Sequence, residues 1–196
     1  MRAGSYHHGN LRAALLERAE ATVRERGVAA LSLRELARET GVSHAAPRRH
    51  FGDRQALLDA LAEDGFVRLG QDLDAAVRDA EPECTARLQA LARAYVRFAT
   101  RHPALLELMY TGKHREGAES VRAAAERAFA VSLEVISAAQ ESGELVPGDP
   151  EHLALLALAT LHGLTAMANG GMLDGQELEA VVPDAVEKLL HGLRRR

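Results

Sequence analysis

The chain has 196 residues, enough for one large core or two small ones, and its Gly and Pro content is modest with no long low-complexity run, which argues against a largely disordered protein. A single cysteine, Cys84, excludes an internal disulfide and a cysteine-built zinc site, and fits a reducing compartment. The net charge of −4 hides an asymmetry: residues 1–52 hold nine arginines against five glutamates, whereas residues 53–196 hold fifteen basic and twenty-three acidic side chains. The N-terminal end therefore attracts polyanions, and the acidic remainder turns away from them.

Met1 to Gly9 reads as an arm, either unstructured or laid along a phosphate backbone. His7-His8 has no third ligand at metal spacing, so no metal site is expected. A first helix is expected from Asn10, as N-cap, to Arg26, with Gly27 as its stop. Leu11, Leu15, Ala19 and Val23 recur every four residues with Leu16 beside them, leaving Arg12, Glu17, Arg18 and Arg24 to face water.

Leu31 to Phe51 has the punctuation of a helix-turn-helix. Ser32 and Glu35 have capping-box spacing, so a short helix should start at Leu33 and bury Leu36 and Ala37. Gly41 can take positive φ without steric cost and turn the chain. Ser43 then offers a second N-cap, for a helix from His44 to Phe51. That helix carries two arginines, two histidines and no acid. Its composition suits reading from outside, with Ala45 and Ala46 small enough for close approach to a groove. Phe51 with Leu31, Leu36 and Val42 should complete a three-helix core.

From Asp53, as N-cap, a long helix is expected to about Ala80, with Leu57, Leu58, Leu61, Phe66, Leu69, Leu73 and Val77 as its apolar positions. Further helices follow over Glu83–Thr100, Ala104–Thr111 and Glu116–Ser142, with Gly143 as a stop, and together they read as a bundle. Asp149-Pro150 begins another helix, to about Ala168. Leu153, Leu155, Leu156, Leu158, Leu161, Leu164 and Met167 cover nearly its whole circumference, and a helix apolar all round must be covered on every side. The simplest cover is a second copy. A last helix, Leu178–Leu193, is kinked or restarted at Pro183. The expected homodimer interface comprises Leu153, Leu156, Leu161, Leu164, Val186, Leu189 and Leu190. No uninterrupted apolar stretch is expected to reach the roughly 20 residues of a membrane span, and no signal peptide is expected, so the protein reads as soluble and cytoplasmic.

Gly41-Val42-Ser43, His50-Phe51 and Gly52-Asp53-Arg54-Gln55-Ala56-Leu57-Leu58 together resemble the DNA-binding domain of TetR-family transcriptional regulators. The resemblance runs from Asn10 to about Leu61. Arg48 stands where most members have a phosphate-contacting tyrosine; arginine can hold a phosphate or reach a guanine bidentately. Leu161-His162-Gly163 is similar to the Trp-His-Gly triplet of one subgroup, with the aromatic replaced.

The resemblance implies an all-α fold, with a three-helix helix-turn-helix domain over 1–52 and a helical ligand-binding and dimerisation domain over 53–196. It implies a repressor that binds double-stranded DNA at a palindromic operator as a homodimer. Base-edge candidates are then His44, Ala45 and Arg49, and phosphate candidates are Ser43, Arg48, His50 and Arg54. Tyr95, Phe98, Met109, Tyr110 and Phe129 fall where the family keeps its effector pocket, which suits a small hydrophobic or amphipathic ligand. Each is also an ordinary core residue by pattern. His162 is either a hydrogen-bonded core histidine or a polar contact to that ligand. No catalytic or metal constellation emerges and no cofactor is expected. A ligand-independent regulator or activator, and more remotely a helical enzyme or carrier, stay open.

Overall fold

A computed structural model describes residues 11–173 and 177–193; the expected arm over Met1–Gly9 and the Asn10 cap lie outside them. Among the described residues the chain is all-α: α1 Leu11–Arg26, α2 Leu33–Glu39, α3 Ala45–His50, α4 Arg54–Arg78, α5 Cys84–Arg101, α6 Pro103–Lys113, α7 Glu119–Glu141, α8 Pro150–Asn169 and α9 Leu178–Leu193. A 3-10 turn over Val28–Ala30 joins α1 to α2. No strand occurs among these residues.

Local chemistry accounts for the boundaries. Gly27, Gly41 and Gly143 all take positive φ, at 78°, 69° and 80°, and each follows a helix end. Asp53 Oδ1 accepts from the Ala56 N–H at 2.8 Å and caps α4, while Asp149 Oδ1 accepts from the Glu151 N–H at 2.9 Å and caps α8, with Pro150 in its first turn. α9 runs continuously through Pro183, so the expected restart does not occur.

The chain packs as two compact units. One takes in the described chain to Phe66 together with Ala104–Ala123; the other is Val67–Pro103 with the described chain from Ala124 onward. In the first, α1 packs on α2 and α3, and α2 on α3. Leu15, Leu16, Ala19, Val23, Leu31, Leu36, Ala37 and Phe51 are buried there, each larger side chain contributing about 1.5–3 kcal/mol relative to exposure. Val42 is only half-buried, because it follows the turn glycine and its role is in the main chain.

In the second unit α5 packs against α8 and α9, and α8 against α9. α4 and α7 meet at Gly70, where a Cβ would stand 3.0 Å from the Ala128 Cα. That neighbour is backbone and cannot swing away. Gly70→Val should therefore lower stability by about 1–3 kcal/mol in urea unfolding, as overpacking does; an unchanged midpoint would show that the two helices are free to separate.

Candidate nucleic-acid interface and effector-side residues

The turn between α2 and α3 is built from main-chain bonds. Ser32 Oγ accepts from the Glu35 N–H at 3.1 Å at the start of α2. At its end the Val42 N–H reaches the Ala37 carbonyl at 3.0 Å and the Gly41 N–H reaches the Arg38 carbonyl at 3.4 Å, the Schellman pattern that left-handed Gly41 permits. The reciprocal half of the expected capping box is replaced. Glu35 gives its carboxylate to Arg26 at 2.7 Å and to Arg38 at 3.4 Å, since charged partners compete better than one amide.

Those contacts belong to a network that ties α1 to α2. Arg18 Nε donates to Glu39 Oε2 at 2.6 Å, and Arg26 Nη2 donates to Glu39 Oε1 at 2.9 Å. Arg18, expected to face water, is instead half-buried and ion-paired. The Arg18 hydrogen bond, joined by that of Arg26, lowers the Glu39 pKa from its ordinary 4.5, and the two guanidiniums are raised in turn.

α3 begins one residue later than expected and ends one residue earlier. His44 precedes it in helical conformation with no side-chain cap bond, and Ser43 contributes its carbonyl, which accepts from the Ala46 N–H at 2.9 Å. Ser43 is therefore not the cap; the tight first turn is closed by a main-chain bond. Ser43, His44, Ala45, Arg48, Arg49 and His50 are all exposed, while Pro47 is buried and Phe51 enters the core. Pro47 costs no helix bond, because the first amides of a helix have no partner within it. Arg48 and Arg49 make no ion pair among the described residues. Arg12 instead lies over the Phe51 ring, 5.5 Å from its centroid.

Arg54, expected at a phosphate, has an internal task. Its Nε donates to the Leu31 carbonyl at 2.9 Å and its Nη2 to the Val28 carbonyl at 2.6 Å, holding the 3-10 turn against the start of α4. The pairing spans more than twenty residues of sequence, so no local pattern announces it.

The effector-side candidates divide between the units. In the second unit Tyr95, only 2% exposed, places its hydroxyl 3.0 Å from His162 Nδ1, and His162 lies on an exposed part of α8. Phe98 is buried there beneath the Arg68 guanidinium, 5.9 Å from the ring centroid, with His102 against it at 5.1 Å, while Phe129 is half-buried. Met109 and Tyr110 belong to the first unit, where Tyr110 meets Phe66 edge-on at 6.2 Å and carries Lys113 over its ring at 4.9 Å. Burial lowers the Lys113 pKa. An open groove of about 390 Å³, lined by residues such as Ala76, Ala90, Arg93 and Arg97, involves none of these candidates.

The interface candidates also divide. Leu153, Val186 and Leu190 are buried within the subunit, which removes them from any surface a partner would cover. They lie on the sides of α8 and α9 that pack internally, a distinction periodicity alone does not make. Leu161, Leu164 and Leu189 are half-buried, and Leu156 is 42% exposed. The exposed apolar surface falls on Leu155 at 60%, Leu156 and Met167 at 41%. Contrary to the sequence expectation, α8 is long and apolar enough to cross a membrane by length and composition, and little of it is buried.

An outward basic helix on a glycine turn, behind a capped helix and an ion-paired first helix, defines a helix-turn-helix DNA-binding regulator. Residues 15–61 match the model of bacterial regulatory proteins of the tetR family, and residues 88–193 match the tetracyclin repressor-like C-terminal domain. The chain belongs to the TetR family of transcriptional regulators, which are DNA-binding regulators, not enzymes. Among solved structures it is similar to a protein of unknown function from Rhodococcus sp. RHA1, at 50% identity over 98% of this chain and 100% of the other, with a TM-score of 0.92. A TetR family transcription regulator from Marinobacter aquaeolei VT8 shares the fold at 19% identity, covering 94% and 96% of the two chains, with a TM-score of 0.78. So does the fatty acid degradation regulator FadR from Bacillus halodurans, at 17% identity over 93% and 99%, with a TM-score of 0.74. No curated protein matches the chain. Ligand-responsive repression is the general behaviour of the family, whose members bind DNA operators and act as dimers.

The Glu39 network carries a pH signature. A carboxylate with a depressed folded pKa contributes stability that is present above its ordinary 4.5 and lost as the pH falls through the lower folded value. Glu39→Gln should melt at lower temperature than the parent at neutral pH, and the gap should close on acidification from about pH 7 to about pH 3. A gap of constant size would place the effect in packing instead of charge.

Proposed function

We propose that the chain is a homodimeric repressor that binds a palindromic operator and releases it when a small hydrophobic or amphipathic molecule occupies the middle helices of its larger domain. The observation that carries this reading is the exposure of His44, Ala45, Arg48, Arg49 and His50 on a helix whose opposite side, Pro47, is buried. His44, Ala45 and Arg49 are assigned to base edges. Ser43, Arg48 and His50 are assigned to phosphates, with Arg54 adding only the donors its two carbonyls leave over.

The second copy covers α8. Leu155, Ala159, Gly163 and Met167 recur every four residues along one exposed stripe, and nothing lies within 4 Å of a Cβ built on Gly163. Two such helices can approach closely there. With the dimer fixed, two copies of α3 must meet successive major-groove faces about 34 Å apart. α4 runs unbroken from Arg54 to Arg78 and belongs to both units, so a ligand that repacks its second half alters that spacing. The Tyr95–His162 pair gives the effector a polar point of attachment among apolar residues. The site of action is the cytoplasm, with the DNA.

Gel shifts on the DNA upstream of the chain's own coding sequence, with and without metabolite extract, test the whole reading: retarded DNA that extract releases supports it, and DNA that is never retarded defeats it. Arg49→Ala should weaken operator binding by about 1–3 kcal/mol and relax preference at one base pair, as for a lost bidentate contact; equal loss on random DNA would move Arg49 to a phosphate. Leu155→Glu should give a folded monomer by sedimentation, because it sets a charge in the apolar stripe, and a variant that stays dimeric would place the interface elsewhere.

A further inference from the structure

We infer that Lys113 is a modification site: a half-buried ε-amine, seated on an aromatic ring and without a carboxylate partner, that takes an acyl group from a small acyl donor, a thioester or an acyl phosphate. The inference stands apart from operator binding and needs no second copy.

Lysine is scarce in this chain. Lys113 and Lys188 are the two lysines among its 24 lysines and arginines, and the guanidiniums that make up the rest stay protonated and are not nucleophiles. The two lysines differ in setting. Lys188 is exposed on α9 and ion-paired with Asp184 one turn earlier. Lys113 is the last residue of α6, half-buried, with its Nζ 4.9 Å from the centroid of the Tyr110 ring. Tyr110 in turn meets Phe66 edge-on, and Phe66 is fully buried, so the seat is backed by the core of the first unit.

The acids of this part of the fold are already committed. Asp59 accepts from Gln55 at 2.9 Å and pairs with Arg115, two residues beyond Lys113, while Glu119 pairs with Arg122 at 2.8 Å. Lys113 itself makes no ion pair among the described residues. Two effects then act on its charge in opposite directions. The ring face favours the ammonium and holds the nitrogen in place, whereas burial penalises the charge and lowers the Lys113 pKa.

A lysine kept partly neutral is a nucleophile. The Nζ lone pair attacks the carbonyl carbon of the donor and a C–N bond forms. The C–S bond of a thioester, or the C–O bond of an acyl phosphate, breaks; thiolate or phosphate leaves, and the amine proton passes to water. The amide product carries no charge to desolvate. It therefore suits a seat beside Tyr110 better than the ammonium it replaces.

The folded protein is treated with acetyl phosphate in one arm and acetyl-coenzyme A in the other, and acetylation of both lysines is followed by peptide mass spectrometry. Both amines belong to one molecule, so decay of the donor cancels in their ratio. In at least one arm Lys113 should react at least about threefold faster than Lys188, because a lowered pKa frees more base than the weaker nucleophile gives back. That preference should vanish in guanidinium chloride above the unfolding midpoint, where both side chains are solvated. It should persist in Asp184→Asn, which releases Lys188 from its partner. A preference in one arm alone supports the inference for that donor class. A folded-state ratio below the expected one in both arms, a preference that survives unfolding, or one that collapses in Asp184→Asn overturns it.

Discussion

A helix of six residues cannot sustain itself, because nucleating a helix costs more than so few hydrogen bonds return. α3 is such a helix, and it must also leave most of its surface to a ligand. It is held by what surrounds it. A glycine-hinged turn delivers it, Pro47 is its buried anchor, and Phe51 closes the core immediately beyond its last residue. The remaining residues of the first unit hold those anchors still: Glu39 and Glu35 cross-link α1 to α2 through Arg18 and Arg26, and Arg54 grips the carbonyls that precede α2.

Much of this was legible because the signals are local. A glycine after an apolar period, or an aspartate followed by proline, announces a helix boundary from the chemistry of a few neighbours, and Gly27, Gly41, Asp53, Gly143 and Asp149-Pro150 all stand at the boundaries they suggest. What escaped has long sequence separation or no period at all. The Val28–Ala30 turn is three residues long, too short to repeat. Arg18 and Glu39 lie 21 residues apart, and Arg54 and Val28 lie 26 apart, so each arginine reads as a solvated or phosphate-facing charge until the fold brings its partner.

The same limit applies to apolar surfaces. Val186 and Leu190 satisfy a helical period as well as Leu155 does, yet the first two are buried within the subunit and the last is exposed. Periodicity finds a stripe without saying what covers it. For α8 the consequence is an ambiguity of solvent: its length and composition would suit a bilayer, whereas the proposed dimer covers the exposed stripe with a second copy.

The commitment of arginines to internal contacts shapes how the protein travels on DNA. Arg18, Arg24, Arg26 and Arg38 are paired with glutamates, Arg12 rests on Phe51, and Arg54 is bound to carbonyls, which leaves Arg34, Arg48 and Arg49 as the arginines of the first unit's three N-terminal helices without such engagement among the described residues. For the proposed operator-binding dimer, few counterions are then displaced on arbitrary sequence, which makes the ionic-strength dependence of nonspecific binding shallow. Discrimination by that dimer falls to the shape and chemistry of a single small helix in each copy.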